Sequence, residues 1–346
     1  MTALEILIVT SAHSAEDGRL IRHKNALLRN GLETEILSVG TANRLTRLIF
    51  GPLKAYFQIK RINPACVILP DPELHLFLPP VLKRQVVVVD VHEDYELVIE
   101  DRSWIRSWFK FALLFLTRCL LIVRNRWADI ILVADASIKG KEAIHIDNRP
   151  NILDLPPKDF PDSPPRLVYV GDIRESRGLE EMLSLLELNK GVHLDLVGPC
   201  DKPEYLKSII REKELSNRVI WHGRCSYEES WKIAARALAG LSLLRSTPAF
   251  RNTIPTKIWE YWALGLPVLG SDLPGQAGVI IESGGGFIGE IHELSSVISA
   301  FVDDPDFARR VGRKGRSYYE SKDDENERRL VEAIKNAIAG RAGEKK

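Results

Sequence analysis

The sequence predicts two doubly wound α/β domains, each built on a parallel sheet with helices on both faces. Length, a repeated alternation of strands and helices, and a proline-rich break between the repeats carry this reading. At 346 residues the chain is too long for one ordinary core and suits two domains of about 150 residues each. In the first half, short β-branched runs recur between amphipathic stretches: Glu5 to Val9, Thr34 to Ser38, Cys66 to Leu69, Val86 to Asp90 and Ile130 to Ala134. Runs apolar on both faces are what a parallel sheet covered on each side requires. The segment 148–165 then carries Pro150, Pro156, Pro157, Pro161, Pro164 and Pro165, which neither continue a helix nor fit a central strand. Beyond it the alternation restarts with Leu167 to Val170, His193 to Val197, Val219 to His222, Gly240 to Leu244 and Pro267 to Gly270, separated by helices at Leu179, Tyr205, Tyr227 and Thr256. After the charged segment 321–329, the periodicity of Leu330, Ala333, Ile334, Ala337 and Ile338 predicts a last helix. The expected organisation is a first domain over 1–150, a linker over 151–165, a second domain over 166–320, and a helix and tail over 321–346. Two such domains are expected to face each other across a ligand-binding cleft.

Composition narrows the function. Apolar residues make up 45% and charged residues 27%, with a formal charge of +1, so the whole chain has no strong pull toward nucleic acid. Cys66, Cys119, Cys200 and Cys225 show no paired or metal-binding spacing, which predicts free thiols, no metal and a reducing compartment. The N-terminus leads straight into an apolar strand without a basic leader, so a cytoplasmic location is expected. The turn after the first strand, residues 10–19, lacks the glycine fingerprint of a dinucleotide site, and neither half has a P-loop. Nicotinamide and ATP chemistry are disfavoured.

Two segments of the second half suit a diphosphate and its nucleoside. The turn Gly171 to Gly178 presents Arg174 and Arg177 at the mouth of a helix, where guanidinium groups beside free N–H groups suit a diphosphate. Arginines merely solvated in a loop fit that segment equally well. The stretch Asn252 to Val268 is more specific. Pro255 suits a helix's first turn, Thr256 and Lys257 then lie at its positive end, and Glu260 follows one turn later, placed to accept ribose hydroxyls. A capped helix with a surface glutamate is the plain alternative.

That stretch resembles the donor-site block of the family 4 retaining glycosyltransferases of the glycosyltransferase-B fold, P-x-K-x-x-E-Y-x-A-x-G-x-P-V. Further blocks agree in order: Asp17-Gly18-Arg19, Asp71-Pro72-Glu73-Leu74, Asp90-Val91-His92-Glu93, Asn148-Arg149-Pro150, the Gly171 to Gly178 turn, and His222-Gly223-Arg224. The resemblance implies two Rossmann-like domains, a nucleotide diphosphate sugar as co-substrate, no metal or other cofactor, and a departing diphosphate that itself acts as base. It implies donor binding by Gly171, Arg174, Arg177, Arg224, Thr256, Lys257 and Glu260, a catalytic end formed by His92, Glu93 and Asn252, and an acceptor loop at Asp17, Gly18 and Arg19. A satisfied structural histidine is the alternative for His92. Three positions depart from the family pattern: Asp172 stands where its arginine does, Arg177 stands where the lysine of the same turn does, and Asn252 replaces the first glutamate of its E-x7-E pair. The expected acceptor is a glycan or a lipid-linked sugar of envelope or exopolysaccharide synthesis. A sugar-nucleotide epimerase of the same fold and a degenerate nucleotide-binding scaffold are the rival readings.

Residues 101–127 carry six basic residues against the single acid Asp101. On a helical projection of about 100° per residue, Arg102, Arg106, Lys110 and Arg124 share one arc, with Trp108, Phe111, Phe115, Cys119 and Ile122 opposite. The segment 44–61 adds Arg47, Lys54, Lys60 and Arg61 among Phe50, Tyr56 and Phe57, without an acid. Either segment alone reads as an ordinary helix burying one face. Together they predict peripheral contact with an anionic membrane, on the inner face of the plasma membrane, through Arg102, Arg106, Lys110 and Arg124.

Overall fold

The computed structural model describes residues 4–12, 17–40, 44–91, 95–96, 99, 107–134, 138, 140, 142–147, 149, 163–248 and 250–343. The chain divides into two compact units, Met1–Asn148 with Asp323–Lys346, and Arg149–Lys322.

The first unit is built on six strands, β1 (Ile6–Thr10), β2 (Thr34–Ser38), β3 (Cys66–Leu69), β4 (Val86–Val91), β5 (Ile130–Val133) and β6 (Ile144–His145). They pair in the order β2-β1-β3-β4-β5-β6, all parallel, with Ile6 opposite both Thr34 and Cys66. Every residue of β1, β3, β4 and β5 is buried, as strands covered on two faces must be. The helices are α1 (Gly18–Arg29), α2 (Arg44–Ile62), α3 (Pro72–Phe77) and α4 (Ser107–Trp127), and α3 packs against both α2 and α4. Side chains alternate between two cores, Ile6 and Ile8 in one, Leu7 and Val9 in the other.

The second unit repeats the plan with β7 (Arg166–Val170), β8 (His193–Val197), β9 (Val219–Gly223), β10 (Ala239–Ser242), β11 (Val268–Gly270) and β12 (Gly286–Ile288). Their order is β12-β11-β10-β7-β8-β9, again all parallel. Its helices are α5 (Leu179–Leu188), α6 (Pro203–Glu212), α7 (Tyr227–Ala235), α8 (Thr256–Ala263), α9 (Pro274–Ser283), α10 (Ile291–Asp303) and α11 (Pro305–Gly343). Strand order reverses between β7 and β10 here, and between β1 and β3 in the first unit. Ligands of open α/β sheets bind outside the carboxyl ends of the strands at such a point.

The last helix differs from the sequence expectation. It begins at Pro305, and the charged segment 321–329 lies inside it, because Arg329 with Glu325 within the segment, and Arg316 with Glu320 just before it, pair four residues apart, the spacing of a solvated helix. Its later residues Leu330, Val331 and Ile334 belong to the first unit's core. Asp304, the residue before it, caps its first turn. Asp304 accepts from the Phe307 N–H at 3.0 Å and pairs with Arg310 at 2.9 Å.

Candidate functional site

In the second unit the switch point gathers the loop after β7 and the N-terminus of α8. β7 ends at Val170, whose N–H donates to the Tyr261 hydroxyl at 3.0 Å, tying the strand end to α8. Gly171 follows with φ at 139°, and a Cβ there would lie 3.2 Å from the Lys257 Nζ. Glycine therefore meets both a backbone and a steric demand at this position. Pro255 caps α8 in extended conformation, and Lys257, two residues on, is only 7% exposed. Its ammonium sits 3.7 Å from the centre of the Tyr169 ring and makes no salt bridge among the described residues. Burial, then the nearby Arg177, holds its pKa well below the usual lysine range, while Glu260 and Asp172 pull the other way. Such a cation is poised to gain from an incoming anion.

Glu260, one turn along α8, is partly buried. Desolvation pushes its carboxyl up to about 7, with Lys257 opposing. Arg177 ends a short 3-10 turn, and its guanidinium stacks 4.3 Å from the centre of the Phe250 ring, in the loop that follows β10. Arg174 is exposed and paired with Asp172 at 2.9 Å. Thr256 and Asn252 are exposed at the N-terminus of α8 and in the loop before it. A hydrogen bond from the Gly275 N–H to the Arg251 carbonyl at 3.1 Å pins that loop to α9. Arg224 is exposed just past β9, whose His222 is held 2.7 Å from the buried Asp195. Lys257, Arg177, Glu260 and Asp172 thus form one electrostatic group beside Gly171, and Arg224 lies at the end of a different strand. Among the described residues no cluster of three metal-ligating side chains occurs.

The first unit corrects one expectation. Asp17 caps α1, accepting from the Arg19 and Leu20 N–H groups at 3.0 and 3.3 Å, and Gly18 is exposed. Arg19 is not presented to an acceptor. Its side chain turns inward and grips the fully buried Asp90 bidentately at 2.9 and 2.6 Å, with a third bond to the Ile146 carbonyl at 3.1 Å. His23 stands 3.1 Å from the same carboxylate, and burial lowers its pKa to about 4. An arginine at the second position of α1 faces the sheet, and Asp90 supplies the counter-charge that lets it stay there. His92 and Glu93 lie outside the described residues.

The block Asp71-Pro72-Glu73 stands at this unit's own switch point. Asp71 accepts from the Thr10 hydroxyl at 2.8 Å and the Ser11 N–H at 2.6 Å, and Glu73 accepts from the Ser11 hydroxyl at 2.8 Å and faces Arg47 at 2.8 Å. Tyr169, Phe250 and Tyr261 support the second unit's site, and sequence reasoning assigned them no part. Tyr261 lies within the helix motif and was within reach; nothing in the sequence marks Phe250.

The paired Rossmann-like units are those of the glycosyltransferase-B fold, and residues 153–318 match the family model for glycosyl transferases group 1. Sucrose-phosphate synthase from Thermosynechococcus elongatus aligns with a TM-score of 0.73 at 14% identity, over 97% of this chain and 99% of that one. Anabaena HepE, solved in complex with UDP-glucose, gives 0.65 at 14% identity over 98% and 99%. WaaG, a glycosyltransferase involved in lipopolysaccharide biosynthesis, gives 0.60 at 11% over 96% and 98%. No curated protein matches the sequence significantly.

Proposed function

We propose that the chain is a retaining glycosyltransferase that moves a sugar from a nucleoside diphosphate donor to an acceptor held by the first unit. The observation that carries this is the buried Lys257 ammonium, stacked on Tyr169 beside Gly171 at the switch point, with Arg177 as a second cation and Glu260 one turn away. Two cations in a partly dry site suit a diphosphate whose charge rises as the bond to the sugar breaks, and Glu260 suits the ribose hydroxyls. Thr256 adds a hydroxyl and first-turn N–H groups. In this reading the leaving diphosphate serves as base, Lys257 and Arg177 stabilise it without a metal, and His92, Glu93 and Asn252 keep the catalytic part that the family resemblance implies. HepE and WaaG, which share the fold, are consistent with a nucleotide-sugar donor and an envelope glycan or lipid-linked acceptor.

Calorimetric titration of nucleoside diphosphates into wild type and Glu260→Ala tests the donor site. Loss of a charge-assisted acceptor is expected to weaken binding by on the order of 1.5 to 3 kcal/mol. Equal affinity in a folded variant removes Glu260 from the site.

A further inference from the structure

The apolar residues that the first unit leaves exposed concentrate on the neighbouring helices α2, α3 and α4. On α4, Phe111 is 74% exposed and Ile122 68%, with Phe115 on the same arc. This inverts the orientation read from the sequence. Arg124 is fully buried, its guanidinium reaching toward Gly140, and Lys110 is half-buried. Arg102 and Arg106 lie outside the described residues. Thr117, Leu120 and Arg124 share the inward face, so the aromatic face is left to solvent. Arg118 and Arg126 are exposed and border that stripe on either side, at about 60° from Phe115 and about 40° from Ile122 on the projection.

The α2 helix repeats the arrangement. Phe57 is 62% exposed and lies with Phe50 and Leu53 on one arc between Lys60 on one side and Lys54 and Arg61 on the other. Phe77 at the end of α3, which packs against both helices, is exposed, and Lys83 and Arg84 follow it at the surface. Neither 44–62 nor 107–127 contains an acidic residue. Such a face is apolar at its centre and mainly basic at its edges, where Glu96, 3.8 Å from the exposed Arg118, is a nearby acid, and it matches an anionic bilayer surface, where aromatic side chains enter the headgroup boundary and cations meet the lipid charge. Among the described residues no helix is long and apolar enough to cross a membrane. A second copy of the chain fits worse, since a two-fold interface would set this basic face against itself.

We infer that the first unit docks on anionic lipid bilayers through the exposed aromatic stripes of α2 and α4 and their flanking Lys54, Lys60, Arg118 and Arg126. Docking goes beyond glycosyl transfer and does not depend on it. Co-sedimentation of the full chain with vesicles of phosphatidylcholine alone, or with phosphatidylglycerol added, at low and high salt, decides it. Wild type is expected to pellet with the anionic vesicles at low salt and not with the neutral ones. The exposed-site variant Phe50→Ser/Phe57→Ser/Phe115→Ser is expected to lose at least about fivefold of that binding, and Lys54→Gln/Lys60→Gln/Arg118→Gln/Arg126→Gln to lose its salt-sensitive part. Wild type in the supernatant throughout, or aromatic and wild-type chains pelleting alike, overturns the inference. So does a wild-type dimer by analytical ultracentrifugation that the aromatic variant turns into monomer, which makes the face a self-association surface.

Discussion

Lys257 and Glu260 stand one turn apart on the same helix, and burial moves their proton affinities in opposite directions. Each is shifted toward its neutral form, the lysine below its ordinary range and the glutamate from 4.5 to about 7. A carboxyl that holds its proton more tightly when folded stabilises the fold fully below its unfolded value, and that contribution is lost as pH rises through the folded one. Wild type should therefore lose stability relative to Glu260→Gln between about pH 4.5 and pH 7, by on the order of 2 kcal/mol, short of the full shift because the side chain keeps a solvent edge. Urea unfolding of both chains at pH 5 and pH 8 measures this, and an equal gap at the two pH values speaks against it. Arg19 teaches a related lesson. Its motif neighbours suggested a ligand loop, yet its charge is consumed by Asp90 inside the unit, and a sequence cannot show which way a helical arginine points until its partner strand is placed.

The helix that carries the site is held by another that sequence patterning had cut short. Gly312 of α11 crosses the end of α8 so closely that a Cβ would fall 1.9 Å from the Gly265 carbonyl oxygen. Arg316, one turn on, donates to the Ala263 carbonyl at 2.8 Å and so caps α8. Gly312→Ala gains about 1 kcal/mol of helix propensity and costs about 1 to 3 kcal/mol in overpacking against rigid backbone, so net destabilisation is expected, together with weaker nucleotide binding because α8 must shift. A thermal melt that rises, with binding unchanged, contradicts that coupling. Five strands of each sheet were legible because continuous apolar runs have few alternatives, whereas the short edge strands β6 and β12 gave no such run, and the α8 motif was legible because proline, lysine, glutamate and glycine each mark a position on a short helix. The outward face of α4 was not legible. Charge alone pointed its arginine arc toward solvent, whereas Arg124 lies fully buried and Phe111 is exposed. The extent of α11 was missed because a charged stretch has no apolar stripe to reveal its period.

At the scale of the whole molecule, the fold alone leaves three activities open: transfer to an acceptor, epimerisation of the donor, and binding without chemistry. On the proposed function, Lys257 and Arg177 at the second unit's switch point would hold a diphosphate and gain from its departure, which is the step that transfer requires. The departures at Asp172 and Asn252 touch the edges of this group, where Asp172 is already paired with Arg174 and Asn252 is exposed, and leave its two cations in place. Incubation of wild type and Arg177→Ala with a panel of nucleoside diphosphate sugars, with and without a chelator, while following nucleoside diphosphate release, tests this claim most directly. Slow release from at least one donor, insensitive to the chelator, is expected, with kcat falling at least about tenfold in Arg177→Ala and KM changing little. Donors left intact across the panel, or a sugar altered while still attached to its nucleotide, would contradict it.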